Sequence, residues 1–247
     1  MTWIVGATAL VAGLLIGLSG IGGVLLVPVL AGGAGMPLER AVPACMLGFL
    51  LAGGYAAIVH LRRARLEWQP LAALCLASAA GAALGAASLE LLPPVGVRLF
   101  IAALALASGA HALVAHPAAD GRAPRAPLLA LLGLVVGYAS AISGTGGPVT
   151  LIPILLALRT PAGVAVALGL AAQLPISAAA AAVYAAAGLV DVQLALTLAA
   201  LLVAGTWAGA RLSARLSGRA LTAMVAWTLV GVGLWFAYAS MRAGGVG

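Results

Sequence analysis

Lysine is missing from this chain of 247 residues, and charge of either sign is scarce: Asp and Glu together number 5, and charged side chains make up 7% of the sequence. Soluble domains carry roughly 25% charged residues, so this surface cannot cover a water-soluble globule. With 64% hydrophobic residues and a mean hydropathy of +1.21, several apolar runs reach membrane-spanning length. The class is an all-α polytopic membrane protein. A formal charge of +7 would point a soluble protein toward nucleic acid, but all 12 basic residues are Arg and they cluster between hydrophobic runs. Topology accounts for them, and no nucleic-acid partner is implied. The lack of Lys beside so much Ala and Arg fits a GC-rich bacterial genome.

Cysteine and aromatic residues are sparse too. Cys45 and Cys75 both fall in predicted spans, where a thiol behaves as a small hydrophobe, and two cysteines define no disulfide framework. The aromatic residues, Trp3, Trp68, Trp207, Trp227, Trp235, Tyr55, Tyr138, Tyr184 and Tyr238 among them, mostly lie near span ends and read as an interfacial belt. Met1 to Leu18 lacks the basic n-region of a secretory signal and is expected to stay as a transmembrane element.

What is present is glycine, in two copies of one pattern. Ser19-Gly20-Ile21-Gly22-Gly23 interrupts an apolar run near the N-terminus, and Ser143-Gly144-Thr145-Gly146-Gly147 interrupts another 124 residues later. Each is followed by a proline, Pro28 and Pro153, with a one-residue insertion near Pro148. Glycine is costly inside a helix and adopts backbone conformations other residues avoid. In lipid the N–H and C=O groups freed by a break must find partners in protein or in a polar cavity. Two discontinuous membrane segments are the reading.

Along the chain, Thr2 to Leu18 is a first apolar element, and Val24 to Ala31 is too short to span, since eight residues of helix rise only about 12 Å. Full-length spans follow at Ala41 to Val59, Pro70 to Leu89 and Val97 to Ala115. Residues 1–115 form a first transmembrane repeat, 116–127 a cytoplasmic linker, and 128–247 a second repeat. At the same offset Pro37 falls on Pro161, Glu67 on Asp191, Gly81 on Gly205 and Gly85 on Gly209, the mark of a duplicated unit.

The arginines decide between parallel and inverted copies. Eight simple crossings divide them six against six and give no orientation signal. If each half crosses an odd number of times, Arg62, Arg63, Arg65, Arg122, Arg125, Arg159, Arg211, Arg215 and Arg219 fall together, opposite Arg40, Arg98 and Arg242. That is the positive-inside pattern. The expected architecture is two inverted repeats, each a broken or re-entrant segment followed by three transmembrane helices. Basic loops 60–67, 116–127 and 211–219 are then cytoplasmic and both termini are not.

Predicted helix interiors hold almost no ionisable groups. His111 lies near a span end, while Glu39, Glu67, Glu90 and Asp191 lie at edges or turns, so the buried relay of many proton-coupled carriers is not evident. Backbone and hydroxyl groups remain. A short helix beginning at each break offers unpaired N–H groups with partial positive charge, which suits an anion. The candidate binding residues are Ser19, Gly20, Ile21, Gly22 and Gly23 on one side, and Ser143, Gly144, Thr145, Gly146, Gly147 and Thr150 on the other. Gln173 adds an amide deep in the second half, and Cys45, after Pro43, is a further candidate. Pro28 and Pro153 are structural. The spaced pairs Gly81/Gly85 and Gly205/Gly209 read as close helix packing. No metal or cofactor is expected.

The doubled glycine break with its downstream proline, in a chain of this size with a polar central linker, resembles the TauE/SafE group of sulfite exporters and sulfonate permeases. The resemblance implies a multi-pass protein of the bacterial cell inner membrane that moves sulfite, thiosulfate or an organosulfonate. It marks Gly20, Gly22, Gly23 and Pro28, with Gly144, Gly146, Gly147 and Pro153. The chain departs from the family pattern in having Gly-Gly followed by Val24 and Pro148 instead of a longer glycine run. The partners implied are a small anion and the bilayer, with a homodimer left open. From another class, Gly17-Leu18-Ser19-Gly20 spells a Gly-x-Ser-Gly, so an intramembrane serine protease using Ser19 competes. It would need a His base, and its motif is degraded in the second copy. An anion channel lined by the same helix starts is the nearer rival.

Overall fold

The computed structural model describes residues 3–61, 66–114 and 124–212, with Trp227, Val230, Gly231, Leu234 and Tyr238. Among these every regular element is helical: α1 (Trp3–Ser19), α2 (Leu26–Pro28), α3 (Leu38–Leu61), α4 (Trp68–Ser88), α5 (Pro94–Val114), α6 (Ala126–Ser143), α7 (Pro148–Ala157), α8 (Ala162–Ala186) and α9 (Val192–Leu212). The short α2 is flanked by a 3-10 turn at Gly23–Leu25 and a π-turn at Val29–Gly33. Among the described residues five stretches are long and apolar enough to cross a membrane: Leu38–Ile58, Trp68–Leu91, Ala126–Ser143, Gly163–Ala186 and Val192–Leu212. The helices start earlier than hydropathy alone indicates, at Leu38, Trp68 and Pro94, because polar residues in α3 and α4 and a proline in α5 occupy the first turns. Residues 62–65, 115–123 and 213–226, which carry most of the basic loops and the linker, lie outside the described residues.

Close approach of backbones organises the bundle. In α4 and α6, a methyl group on Gly81 would overlap Leu134 O, one on Gly137 would overlap Ser78 O, and one on Gly85 would lie 2.5 Å from Tyr138 O. Contact positions increase together along both helices, so the two run parallel. In α1 and α9, Gly205 sits on Leu10 O, Gly209 on Leu14 O and Gly13 on Leu202 O. These are the same contacts shifted by 124 positions. The first helix of each half therefore packs on a helix of the opposite half, α1 on α9 and α6 on α4, through the Gly81/Gly85 and Gly205/Gly209 pairs. Small residues serve this purpose in lipid, where dispersion at short range replaces the hydrophobic drive.

The outer faces are apolar: Leu76 is 74% exposed on α4, and Leu131 and Val135 are exposed on α6. Trp3 and Trp68 stand exposed at helix starts, and Arg211 lies 3.7 Å from the Trp207 ring centroid at the end of α9. That distribution fits a helix bundle facing hydrocarbon, with aromatic residues at its ends. In the second half, Gly147 lies against Ile176 and Ile152 against Gly169, so α7 runs antiparallel to α8. Ten residues of α7 rise about 15 Å, half the hydrocarbon thickness.

Gly205→Ala is expected to lower detergent-solubilised stability by about 1–3 kcal/mol, since α1 must move off α9. Gly163→Ala, with no atom within 4 Å of the added methyl, should leave the thermal midpoint unchanged or raise it. Equal midpoints for the two variants would remove close approach as the basis of this packing.

Candidate functional site

The first break is made by the end of α1. Gly20 takes φ +78 and returns its N–H to Ile16 O at 2.8 Å, the left-handed cap that stops a helix. The Ser19 hydroxyl donates to Leu15 O at 3.0 Å and accepts from Ile21 N at 3.3 Å, so it stays within its own turn. Ile21 is buried, and Gly22 lies on α1 where a side chain would overlap Ala12 O. Pro28, also buried, closes α2 just before the π-turn.

The second break repeats the device. Gly144 (φ +68) caps α6, its N–H and that of Thr145 both reaching Ser140 O, while Tyr184 Oη donates to Ala141 O at 2.9 Å. The carbonyls of Ser140 and Ala141 at the end of α6 are thus met by protein. Ser143 and Thr145 hydroxyls lie 2.9 Å apart, both buried. Gly146 and Gly147 follow at φ +81 and +107, and Gly147 with Pro148 opens α7. Pro at the first helical position gives up only a donor that a helix start leaves unpaired. Thr150 is half-buried with an unpartnered Oγ1, and Pro153 lies inside α7.

The two breaks meet. A methyl group on Gly23 would lie 2.7 Å from Thr145 O, one on Gly144 would overlap the Val27 side chain, and one on Gly20 would touch Ile152 and Leu170 at 3.5 Å. Allowing for the inserted residue near Pro148, Val27 and Ile152 are equivalent, so each cap rests on the other half's short helix. Gln173, 2% exposed on α8, donates from Nε2 to Phe49 O on α3 at 3.3 Å. These two residues are themselves 124 apart. The amide also lies beside Gly53, where an added methyl would meet Gln173 Nε2 at 2.8 Å, and 3.5 Å from one on Gly146. Cys45 is fully buried one turn before Phe49.

Polar groups here are left over. Gln173 Oε1, Thr150 Oγ1, Ser140 Oγ and Ser177 Oγ have no hydrogen-bond partner. The backbone N–H groups of Gly22, Gly23, Gly146 and Gly147, all buried, donate no hydrogen bond among the described residues. An unmet buried donor costs about 1–3 kcal/mol. These four belong to the two breaks that abut, and no acid or base stands among the described residues named around them. Nothing about Ser19 supports a nucleophile, since its hydroxyl is held in α1; the side chains of His60, His111 and His116 lie outside the described residues.

Phe49, Ser140 and Ser177 are the neighbours that sequence reasoning missed. The repeat offset applied to Gln173 would have found Phe49. A family model described as Sulfite exporter TauE/SafE matches residues 5–236 of the chain. No curated protein and no solved structure matches it.

Gly144→Ala combines left-handed strain with overlap on Val27 and should cost about 2–4 kcal/mol, measured as loss of thermal stability in detergent. Gly35→Ala carries the strain alone, at φ +66 with nothing within 4 Å, and should cost about 1 kcal/mol. A Gly144→Ala variant no less stable than Gly35→Ala would contradict the contact between the breaks.

Proposed function

The chain belongs to the TauE/SafE family of sulfite exporters, membrane transporters and not enzymes, and from that premise we propose how it carries its anion. The substrate is a small sulfur-containing oxyanion: sulfite, thiosulfate or an organosulfonate. It binds between the two glycine breaks and crosses the bacterial inner membrane outward by alternating access. The observation carrying this reading is the set of buried, unbonded N–H groups at Gly22, Gly23, Gly146 and Gly147, where the breaks abut. Gln173 adds an amide, and Ser19, Ser143, Thr145, Thr150, Gly20, Ile21, Gly144 and Cys45 build the walls around it. Pro28 and Pro153 shape the short helices.

Residues 1–115 and 128–247 act as two inverted repeats joined by a cytoplasmic linker at 116–127. The exchanged packing of α1 on α9 and α6 on α4 supports a pseudo-two-fold relation, and the Arg distribution supports its lying in the membrane plane. The antiparallel course of α7 along α8, with its half-membrane length, favours a re-entrant hairpin over two further crossings. Loops 60–67, 116–127 and 211–219 then face the cytoplasm. Rocking of one repeat against the other would expose the junction to either side, and a homodimer is compatible with this arrangement.

Direction follows from charge. A cytoplasm-negative potential drives an anion outward by about 2.3 kcal/mol per charge per 100 mV. Export therefore needs no coupled proton, in keeping with a site built from uncharged groups. A carrier is preferred to an anion channel because the break residues are buried against one another, with Ser143 0% and Thr145 2% exposed.

In liposomes, sulfite flux should saturate, accelerate when unlabelled sulfite is present on the far side, and increase with a potential that favours anion exit. Chloride and sulfate should compete poorly. Gln173→Ala should raise the half-saturating sulfite concentration roughly five-fold, the loss of about 1 kcal/mol of hydrogen bonding. Flux linear in sulfite and indifferent to counter-substrate would instead identify a channel.

A further inference from the structure

The walls of the junction are glycines, yet the room they leave is occupied. Phe49 on α3 is 0% exposed. Its ring atoms Cζ and Cε2 would lie 2.9 and 3.2 Å from a methyl group on Gly23, and Cδ2 3.3 Å from one on Gly146. One ring thus touches both breaks. It stands between the segments that carry the unbonded N–H groups, and it can satisfy none of them in their plane, because an aromatic edge is itself partially positive. The arrangement is apolar cover over donors. An oxyanion would meet those donors where the ring does not.

The backbone of Phe49 is tied to the opposite half. Its carbonyl accepts from Gln173 Nε2 at 3.3 Å, pinning α3 to α8 where the helices cross. The ring is free to change only through its χ angles, among a few staggered positions. At the offset of 124 residues the two halves present unlike groups at this crossing, a ring from one and an amide from the other.

We propose that Phe49 is the specificity-determining side chain of the anion site: its ring closes the junction between the breaks and restricts entry to small oxyanions. This rests on the transport reading above and adds to it a size limit and the residue that sets it. A compact sulfur oxyanion fits where the ring moves aside. One with a bulky organic group must share the space with the ring and is refused.

The test uses the full chain in liposomes with two probes, sulfite and benzenesulfonate, comparing wild type with Phe49→Ala and Phe49→Leu. In Phe49→Ala the ratio of benzenesulfonate to sulfite flux should rise roughly tenfold or more, the usual worth of space made or filled in a pocket. Benzenesulfonate should also raise the thermal midpoint of that variant in detergent while leaving that of wild type unchanged. Should Phe49→Ala fail to fold, Phe49→Leu, which keeps most of the buried volume without the ring, carries the same test with a smaller rise expected. A folded variant whose ratio and stabilisation profile match wild type overturns the role of Phe49 while leaving sulfite transport standing. Wild type that moves no sulfite overturns the transport reading and this inference with it.

Discussion

A backbone amide inside a membrane has no water to turn to. Every departure from helix must therefore be met by protein, by an enclosed polar space, or by a ligand. This chain departs from helix twice in the same way, and it meets most of the consequence internally. Ser140 O takes two N–H groups, Tyr184 takes a carbonyl, and Ser19 closes its own turn. Among what it leaves unmet are N–H groups of both breaks, where the two departures touch. On the transport reading proposed above, donors brought together at one junction would favour an anion without any charged side chain.

The glycines divide by task. Those at 13, 81, 137, 205 and 209 lie in straight helices and let neighbouring backbones come together. Those at 20, 144, 146 and 147 carry positive φ and turn the chain. Both tasks serve one geometry. The close contacts hold α1 on α9 and α6 on α4, which brings the ends of α1 and α6 to the same place. Without that pairing the two caps would not rest on each other's short helices.

Much of this was readable in the residues. A cluster such as Gly144 to Gly147 within an apolar run has few alternatives to a break, and the 124-residue offset is visible by eye. The packing role of Gly81 and Gly205 followed from spacing alone. Phe49 was legible only as the position that the repeat offset pairs with Gln173; that its ring touches both breaks was not, because one aromatic in a hydrophobic stretch is indistinguishable from core until its neighbours are known. Nor were Ser140 and Ser177, since a hydroxyl in a membrane helix ordinarily bonds back to its own turn, as Thr206 does to Leu202 O. The π-turn at Val29–Gly33 was also hidden: its counterpart α7 is regular helix, and nothing in the apolar residues Val29 to Ala31 distinguishes the two.

The exchanged helices bear on how the protein is made. Gly13 finds its partner at Leu202, near the far end of the described chain. A polypeptide that emerges N-terminus first must hold α1 in the bilayer, its glycine face uncovered, until α9 has been synthesised. Contacts so distant in sequence form late and slow the final assembly. During that interval the first half is the segment most open to interception by other membrane helices, and a truncated chain ending before α9 would leave α1 permanently without its mate.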